Sequence, residues 1–362
     1  MIILREVLVM KPTKWMDFPR RILVGSNILH EAPLLLQDIG ISEGAILMIT
    51  GKKSYDICGS LLKDILEDSG YLVDVVHTKD VTKKEVTNVL SGIKEKRNNY
   101  YDIIMGVGGG SKIDMAKLLA KELSIDYVSV PTIASHDGIA SPRASLKERY
   151  EQVSIQVKSP IAILADTAVI SKADYRYTAS GVADVIGNIT AVRDWILAHK
   201  LKGEPFSESA AALSLTAARI ILKNAESIKP NLEESTRLVV KALAMSGVSM
   251  GVAGSSRPAS GSEHLFAHAL TRIAPGKGLH GELVGLGTIM MAYLHGINWK
   301  KIKKTLEIIG APTSAYDLDL DPNDVILALT TAHKIRRRYT ILGETGLSEE
   351  AAKTLAKRTG VL

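Results

Sequence analysis

The sequence predicts an α/β domain built on a parallel sheet, followed by an all-helical domain. Three observations carry this. Short apolar runs alternate with amphipathic stretches through the first half, which is the pattern of βα units. Beyond about Ser171 the strand signal disappears and Ala-rich segments of helical spacing take over. At 362 residues the chain exceeds one core, given a prior of roughly 150 residues per domain, so a cleft between two domains is expected. In order, residues 45–50 (AILMIT), 72–76 (LVDVV), 102–107 (DIIMGV) and 127–130 (YVSV) read as strands, with 161–164 (IAIL) closing the sheet before Asp166. Residues 54–69, 82–96 and 112–123 carry helical spacing between them, and 210–222, 234–245 and 283–294 are helices of the second half. The expected division is residues 1–168 and 169–362.

Composition narrows the functional class. A hydrophobic fraction of 46% and a charged fraction of 23% describe an ordinary globular chain, and no uninterrupted apolar run of about 18 residues predicts membrane insertion. Arg5, Glu6 and Lys11 break up the N-terminus where a signal peptide would be apolar, so a cytoplasmic protein is expected. The lone cysteine, Cys58, rules out an intrachain disulfide framework and any multi-cysteine zinc site, leaving His and carboxylate to hold a metal. The net charge of +6 suits a phosphorylated substrate, while the lack of a basic stripe interleaved with aromatics speaks against nucleic acid. The basic run at 334–338 (KIRRR) reads as a solvated helix face.

In residues 102–117 (DIIMGVGGGSKIDMAK) an apolar strand runs into four glycines among five residues, then Ser111 and a helix. Glycine lets backbone N–H groups approach an anion, and the helix N-terminus adds partial positive charge, so a pyrophosphate fits there. The segment is neither G-x-G-x-x-G nor a Walker sequence, and its glycines also serve close helix–strand packing. A second loop, 131–142 (PTIASHDGIASP), lies beyond a strand end, where open α/β sheets bind ligands. In it Thr132, Ser135 and Ser141 are candidates for the cofactor and Asp137 for a substrate hydroxyl. The strand 45–50 ends in Gly51-Lys52-Lys53 with no acidic residue for an adenosine ribose, so both NAD and NADP are allowed.

His264 and His268 are four apart and share one helix face, His280 follows on or next to the next helix, and Asp184 stands in an otherwise apolar stretch where burial demands a partner. One Asp and two His leave a coordination position open, as catalytic zinc sites require. Glu263 precedes the first histidine, so HExxH is absent and a peptidase loses its general base. A metal beside a dinucleotide points to alcohol oxidation or carbonyl reduction.

GVGGGSKIDMAK, PTIASHDGIASP, GVADVIGN, GSEHLFAHAL and GKGLHGELVG, in that order and over nearly the whole chain, resemble the superfamily of dehydroquinate synthase, glycerol dehydrogenase and iron-containing alcohol dehydrogenases. Within it the sequence is most similar to the archaeal-type sn-glycerol-1-phosphate dehydrogenases. The resemblance implies a dehydroquinate-synthase-like fold, with a Rossmann-like domain, a helical domain and the active site between them. It implies metal ligands Asp184, His264 and His280, and substrate contacts at Asp137, Asp184 and His268, with Asp137 and His268 catalytic. The implied cofactor contacts are Gly110, Ser111, Lys112, Ile113, Asp114, Thr132, Ile133, Ala134, Ser135 and Ser141.

Iron-dependent relatives carry a histidine four residues after the aspartate, where this chain has Asn188. The departure favours a three-ligand Zn2+ site, although the ligand types alone also admit Fe(II). The implied reaction is reversible reduction of dihydroxyacetone phosphate to sn-glycerol 1-phosphate by NADH or NADPH, for archaeal ether-lipid backbones, in a homo-oligomer. Arg143, Arg257 and Lys277 lie near the motifs as cations for the substrate phosphate. Competing readings are a glycerol dehydrogenase, a dehydroquinate-synthase-like lyase and a non-catalytic binding protein on the same scaffold.

Overall fold

Six parallel strands form the central sheet in the order β1-β8-β5-β4-β2-β3, with β1 Arg21–Gly25, β2 Ala45–Thr50, β3 Leu72–His77, β4 Ile103–Gly108, β5 Asp126–Pro131 and β8 Ala162–Asp166. The computed structural model describes residues 16–95, 100–148 and 151–362. Arg5, Glu6 and Lys11, and Lys96 at the end of the anticipated 82–96 helix, lie outside the described residues.

β2 and β4 are covered on both faces, which is why they read as unbroken apolar runs and were legible as strands. β1 is a half-exposed edge strand with a weaker pattern, and sequence reasoning passed over it. It also passed over an antiparallel hairpin, β6 Arg143–Glu148 and β7 Glu151–Gln156, whose residues are mostly polar. The helix expected at 54–69 begins earlier, at Lys52, and passes through a π-turn at Tyr55–Gly59 before Ser60–Asp68. Asp166, at the end of β8, caps the next helix by accepting N–H bonds from Ala168 and Val169, and accepts others from Asn27, Ile28 and Leu29.

From Thr167 onward every regular element among the described residues is helical. Tyr175–Lys202 runs through the middle, packed by Glu208–Asn224, Glu233–Ala253, Ser262–Ile273 and His280–Leu294. Glu233–Ala253 is long and apolar enough to cross a membrane, but it is a core helix with most of its surface buried in this packing. Residues on one face of the sheet share a single apolar core with these helices, while a second core lies on the other face under Ala32–Asp38 and Ser60–Asp68.

The run 334–338 is not a solvated helix face. After a 3-10 turn at Ala332–Lys334 the chain becomes irregular and turns inward. Arg338 donates to the Ser260 carbonyl and, at 2.8 Å, to Ser256 Oγ, and Asp194 Oδ1 accepts the N–H of Ile341 at 2.7 Å, so buried acceptors hold the segment down.

Two glycines allow close approach, one between the helical half and the loop after β5, the other between two helices. A Cβ on Gly181 would lie 2.1 Å from the Ala134 carbonyl oxygen, and one on Gly281 would lie 1.9 Å from that of Ser180. Without side chains there, Tyr175–Lys202 rests on the loop after β5 and His280–Leu294 begins directly against it.

Candidate metal centre and cofactor cleft

Asp184, in the middle of Tyr175–Lys202, is buried, and its Oδ1 lies 3.4 Å from His264 Nε2 and 3.7 Å from His280 Nε2. One ligand atom from each of the three falls within 4.8 Å of the others. Two ligands of a tetrahedral zinc at ~2.05 Å stand ~3.3 Å apart, so two of these separations already suit a shared ion. The carboxylate makes a sharper point: Asp184 Oδ1 is buried with no hydrogen-bond partner, a costly state that a cation between it and the two imidazoles would relieve. Its other oxygen accepts the Asp137 N–H at 2.9 Å. The residues therefore fit a divalent metal.

Further groups aim the ligands. His264 Nδ1 lies 2.9 Å from Glu263 Oε1, which leaves Nε2 turned toward Asp184, and Glu263 is itself fixed by the Thr190 hydroxyl and the Gly261 N–H. This is the carboxylate–histidine arrangement that orients metal ligands. Burial opposes charge on His264, but its contacts with Asp184 and Glu263 outweigh burial and raise its pKa to about 9. Burial, together with nearby His264 and His136, pushes His280 down to about 3 against the pull of Asp184. Asp184 stays ionised, held to about 2 by the histidines in spite of its burial.

His268 shares the cavity, its ring centroid 5.6 Å from that of His280. Burial first, and then the neighbouring His280 and Arg336, push its pKa far down, so it is neutral. Arg336 Nη2 lies 3.4 Å from His268 Nε2, and because a guanidinium only donates, that nitrogen is the acceptor. Asp137 opens a 3-10 turn on the loop after β5; burial and the charge of Asp184 raise its pKa to about 7, and its Oδ2 accepts from Ser246 Oγ at 2.8 Å. Asn188 is absorbed into the same chain of contacts, with Nδ2 3.1 Å from Ser246 Oγ and 3.3 Å from the Ser214 carbonyl oxygen.

The glycine turn lies at the end of β4, where β2 and β5 flank it. Gly109 caps the helix Gly110–Leu123, and a Cβ on Gly110 would meet His136 Nε2 at 2.2 Å. Ser111 lines both the metal cavity and a second cleft that runs over Gly109, Thr132 and Ile133 toward Gly51. Lys112 lines this second cleft and donates to the carbonyls of Thr78 and Lys79. Ile113 and Ala134 bury their side chains in the core, leaving only backbone for a ligand. The carboxylate of Asp114 is occupied by Lys117 Nζ at 3.1 Å and the Ser145 N–H at 3.1 Å. The Ser135 carbonyl accepts from Ser180, and Ser141 lines the metal cavity and not the second cleft. Lys117 is a fully buried ammonium that also reaches the carbonyls of Gly138 and Arg143, both at 2.6 Å.

Two of the anticipated phosphate cations lie elsewhere. Arg257 is buried against Glu204 and the Tyr339 carbonyl, and Lys277 pairs with Asp319 at the surface. Arg143 does line the metal cavity, and Arg336 joins it there. Sequence reasoning missed Arg336, because only the inward turn of its segment brings it beside His268. It also gave His136 no role, although this residue lines the cavity 6.1 Å, ring to ring, from His280.

Known proteins share this fold and much of this sequence. A family model described as iron-containing alcohol dehydrogenase matches residues 23–174. Among solved structures, glycerol dehydrogenase from Schizosaccharomyces pombe superposes with a TM-score of 0.80 at 18% identity, covering 96% of this chain and 91% of that one. An iron-containing alcohol dehydrogenase from Thermotoga maritima gives 0.69 at 18%, with 95% and 99% covered. These share the dehydroquinate-synthase-like fold. Relatives named "Glycerol-1-phosphate dehydrogenase [NAD(P)+]" are far nearer in sequence. That of Methanothrix thermoacetophila is 50% identical over 97% of this chain and 98% of its own, and that of Methanothermobacter thermautotrophicus is 49% identical over 98% and 100%. With the identity spread over the whole length of both partners, this chain belongs to the glycerol-1-phosphate dehydrogenase family, within the iron-containing alcohol dehydrogenase superfamily.

Proposed function

We propose that the protein reversibly reduces dihydroxyacetone phosphate to sn-glycerol 1-phosphate with NADH or NADPH, in the cytoplasm and for ether-lipid backbones, with zinc held by Asp184, His264 and His280. In this reading residues 1–168 bind the dinucleotide and 169–362 supply the metal ligands and, with Asp137 and Arg143 from the first part, the substrate contacts.

One observation separates a phosphorylated substrate from free glycerol. Arg143 and Arg336 both line the cavity beside the candidate metal ligands, each partly buried, and neither forms an ion pair with a carboxylate among the described residues. Burial, with Arg143 and Arg272 nearby, lowers the pKa of Arg336 to about 10. Partly desolvated cations without acids carry a cost, and a dianion is a partner that relieves it. Arg143 is braced for this by Ser154 and by Gln156 at 2.6 Å.

A metal at the triad supplies a Lewis acid for the substrate's oxygens. The chain's own residues do the rest: the two arginines hold the phosphate, Asp137 meets a substrate hydroxyl, and neutral His268, its Nε2 facing Arg336, holds or passes the hydroxyl proton. The glycine turn seats the pyrophosphate at the N-terminus of Gly110–Leu123, with Lys112, Thr132 and Ile133 along the cleft.

The test is oxidation of NADH and NADPH by zinc-loaded protein with dihydroxyacetone phosphate beside dihydroxyacetone, with chiral analysis of the product. The phosphorylated ketone should turn over to the sn-1 product. Arg336→Ala should lower the preference for it, as a ratio of kcat/KM values, by roughly 10- to 100-fold, since a hydrogen bond to a charged group contributes about 1.5–3 kcal/mol. An equal loss for both ketones would remove Arg336 from phosphate recognition, and turnover of dihydroxyacetone alone would make the protein a glycerol dehydrogenase.

A further inference from the structure

The second cleft carries a charge pattern that the reaction itself does not require. Its lining contains Lys52, Lys53, Lys79, Lys112 and Lys172 against a single acid, Asp174. Direction along the cleft follows from its two ends. The nicotinamide must reach the metal cavity, which adjoins at Ser111, and the pyrophosphate sits on Gly109 to Ser111, so the adenosine falls at the far end, beside Gly51, Lys52 and Lys53. That end is the tip of β2, the strand next to β4. In dinucleotide folds this neighbouring strand tip reads the adenosine ribose: an acid there bonds the 2′-hydroxyl and repels a 2′-phosphate, whereas a cation accepts the phosphate.

This chain has no acid at the tip. Gly51 occupies it, and a Cβ there would already lie 2.9 Å from Lys112 Cε. Lys52 and Lys53 follow immediately, at the start of the helical run that continues to Asp68; both are exposed and enter no ion pair among the described residues. Lys112 is different, since its ammonium is committed to the Thr78 and Lys79 carbonyls and braces the floor. Two uncommitted cations at the adenosine end exceed what a pyrophosphate seated on glycines and a helix N-terminus demands.

We infer that Lys52 and Lys53 form a 2′-phosphate site that makes this chain select NADPH over NADH. The inference rests on the dinucleotide reading of the cleft given above, and takes the selectivity from a pair of residues outside the metal cavity.

Calorimetric titration of the full-length protein with 2′,5′-ADP and with 5′-AMP isolates the 2′-phosphate without needing metal or turnover. The wild type should bind 2′,5′-ADP about tenfold or more tightly than 5′-AMP, a gap that narrows with added salt, as expected for phosphate held by exposed lysines. Lys52→Ala/Lys53→Ala should bring the two nucleotides within about twofold while leaving 5′-AMP affinity in place, and the ratio of kcat/KM for NADPH over NADH should fall in parallel. Equal binding of the two nucleotides by the wild type, or an undiminished gap in the double variant, overturns the inference and leaves the dinucleotide reading standing. Binding of neither nucleotide overturns both.

Discussion

His264 and His268 stand one helical turn apart yet occupy different positions in the chemistry. The first turns Nε2 toward Asp184 with Glu263 behind it; the second has Nε2 taken by Arg336. His264→Ala should therefore lose both bound metal and turnover, whereas His268→Ala should lower turnover with metal content near wild type; metal loss in the latter would make His268 a ligand. The raised pKa of His264 adds a sign. It moves from 6.5 to about 9, so a proton competes with the metal throughout neutral pH. Apparent zinc affinity, measured against a competing chelator, should climb about tenfold per pH unit from pH 6.5 and level off near pH 9; a flat profile would mean that His264 carries no proton in the metal-free protein. At this scale the sequence was informative where spacing reports geometry: His264 and His268 at i and i+4 placed themselves, and Asp184 stood out as an acid among apolar neighbours. Arg336 did not, because KIRRR looks the same whether solvated or folded inward, and the bonds that fold it inward come from Ser256, Ser260 and Asp194, far away in the chain.

Helices and buried strands were legible because burial on one stripe or on two faces leaves a period in the sequence, and β2, β4 and Ser60–Asp68 all carry that burial. The hairpin β6–β7 carries little of it, so RASLKE and EQVSIQ gave no warning, although Arg143 stands at the hairpin's first position. One close approach between elements rests on Gly181. With the Ala134 carbonyl 2.1 Å from where a Cβ would be, and with backbone on both sides of the contact, Gly181→Ala must push the helix away from the loop. Overpacking of this kind costs typically 1–3 kcal/mol, and the displacement would carry Asp184 away from the Asp137 N–H. Denaturant unfolding should show that loss, together with weaker metal binding. Stability and metal affinity equal to wild type would mean that the loop yields freely.

On the scale of the whole molecule, the three candidate metal ligands come from three helices, Tyr175–Lys202, Ser262–Ile273 and His280–Leu294, so an ion bound there would tie together the centre of the helical half. An ion present at 1,000 times its Kd stabilises the folded state by about 4 kcal/mol, which for a chain of this size raises Tm by roughly 5 °C. Chelation should reverse that shift and zinc restore it in a thermal melt; a Tm indifferent to both would place the ion elsewhere. The two-part architecture was visible in the sequence as the point where strand patterning stops, near Asp166. The way the parts meet was not, since it depends on close contacts between residues distant in the chain.

The two arginines divide along the same line. Arg143 rides on the sheet side, fastened through its carbonyl to Lys117 and so to the helix that follows the glycine turn, while Arg336 arrives on the helical side beside His268. A dianion gripped by both is a clasp across the mouth of the cleft. In the proposed reading, the handle that marks the substrate as the right one would also bridge the two halves of the chain.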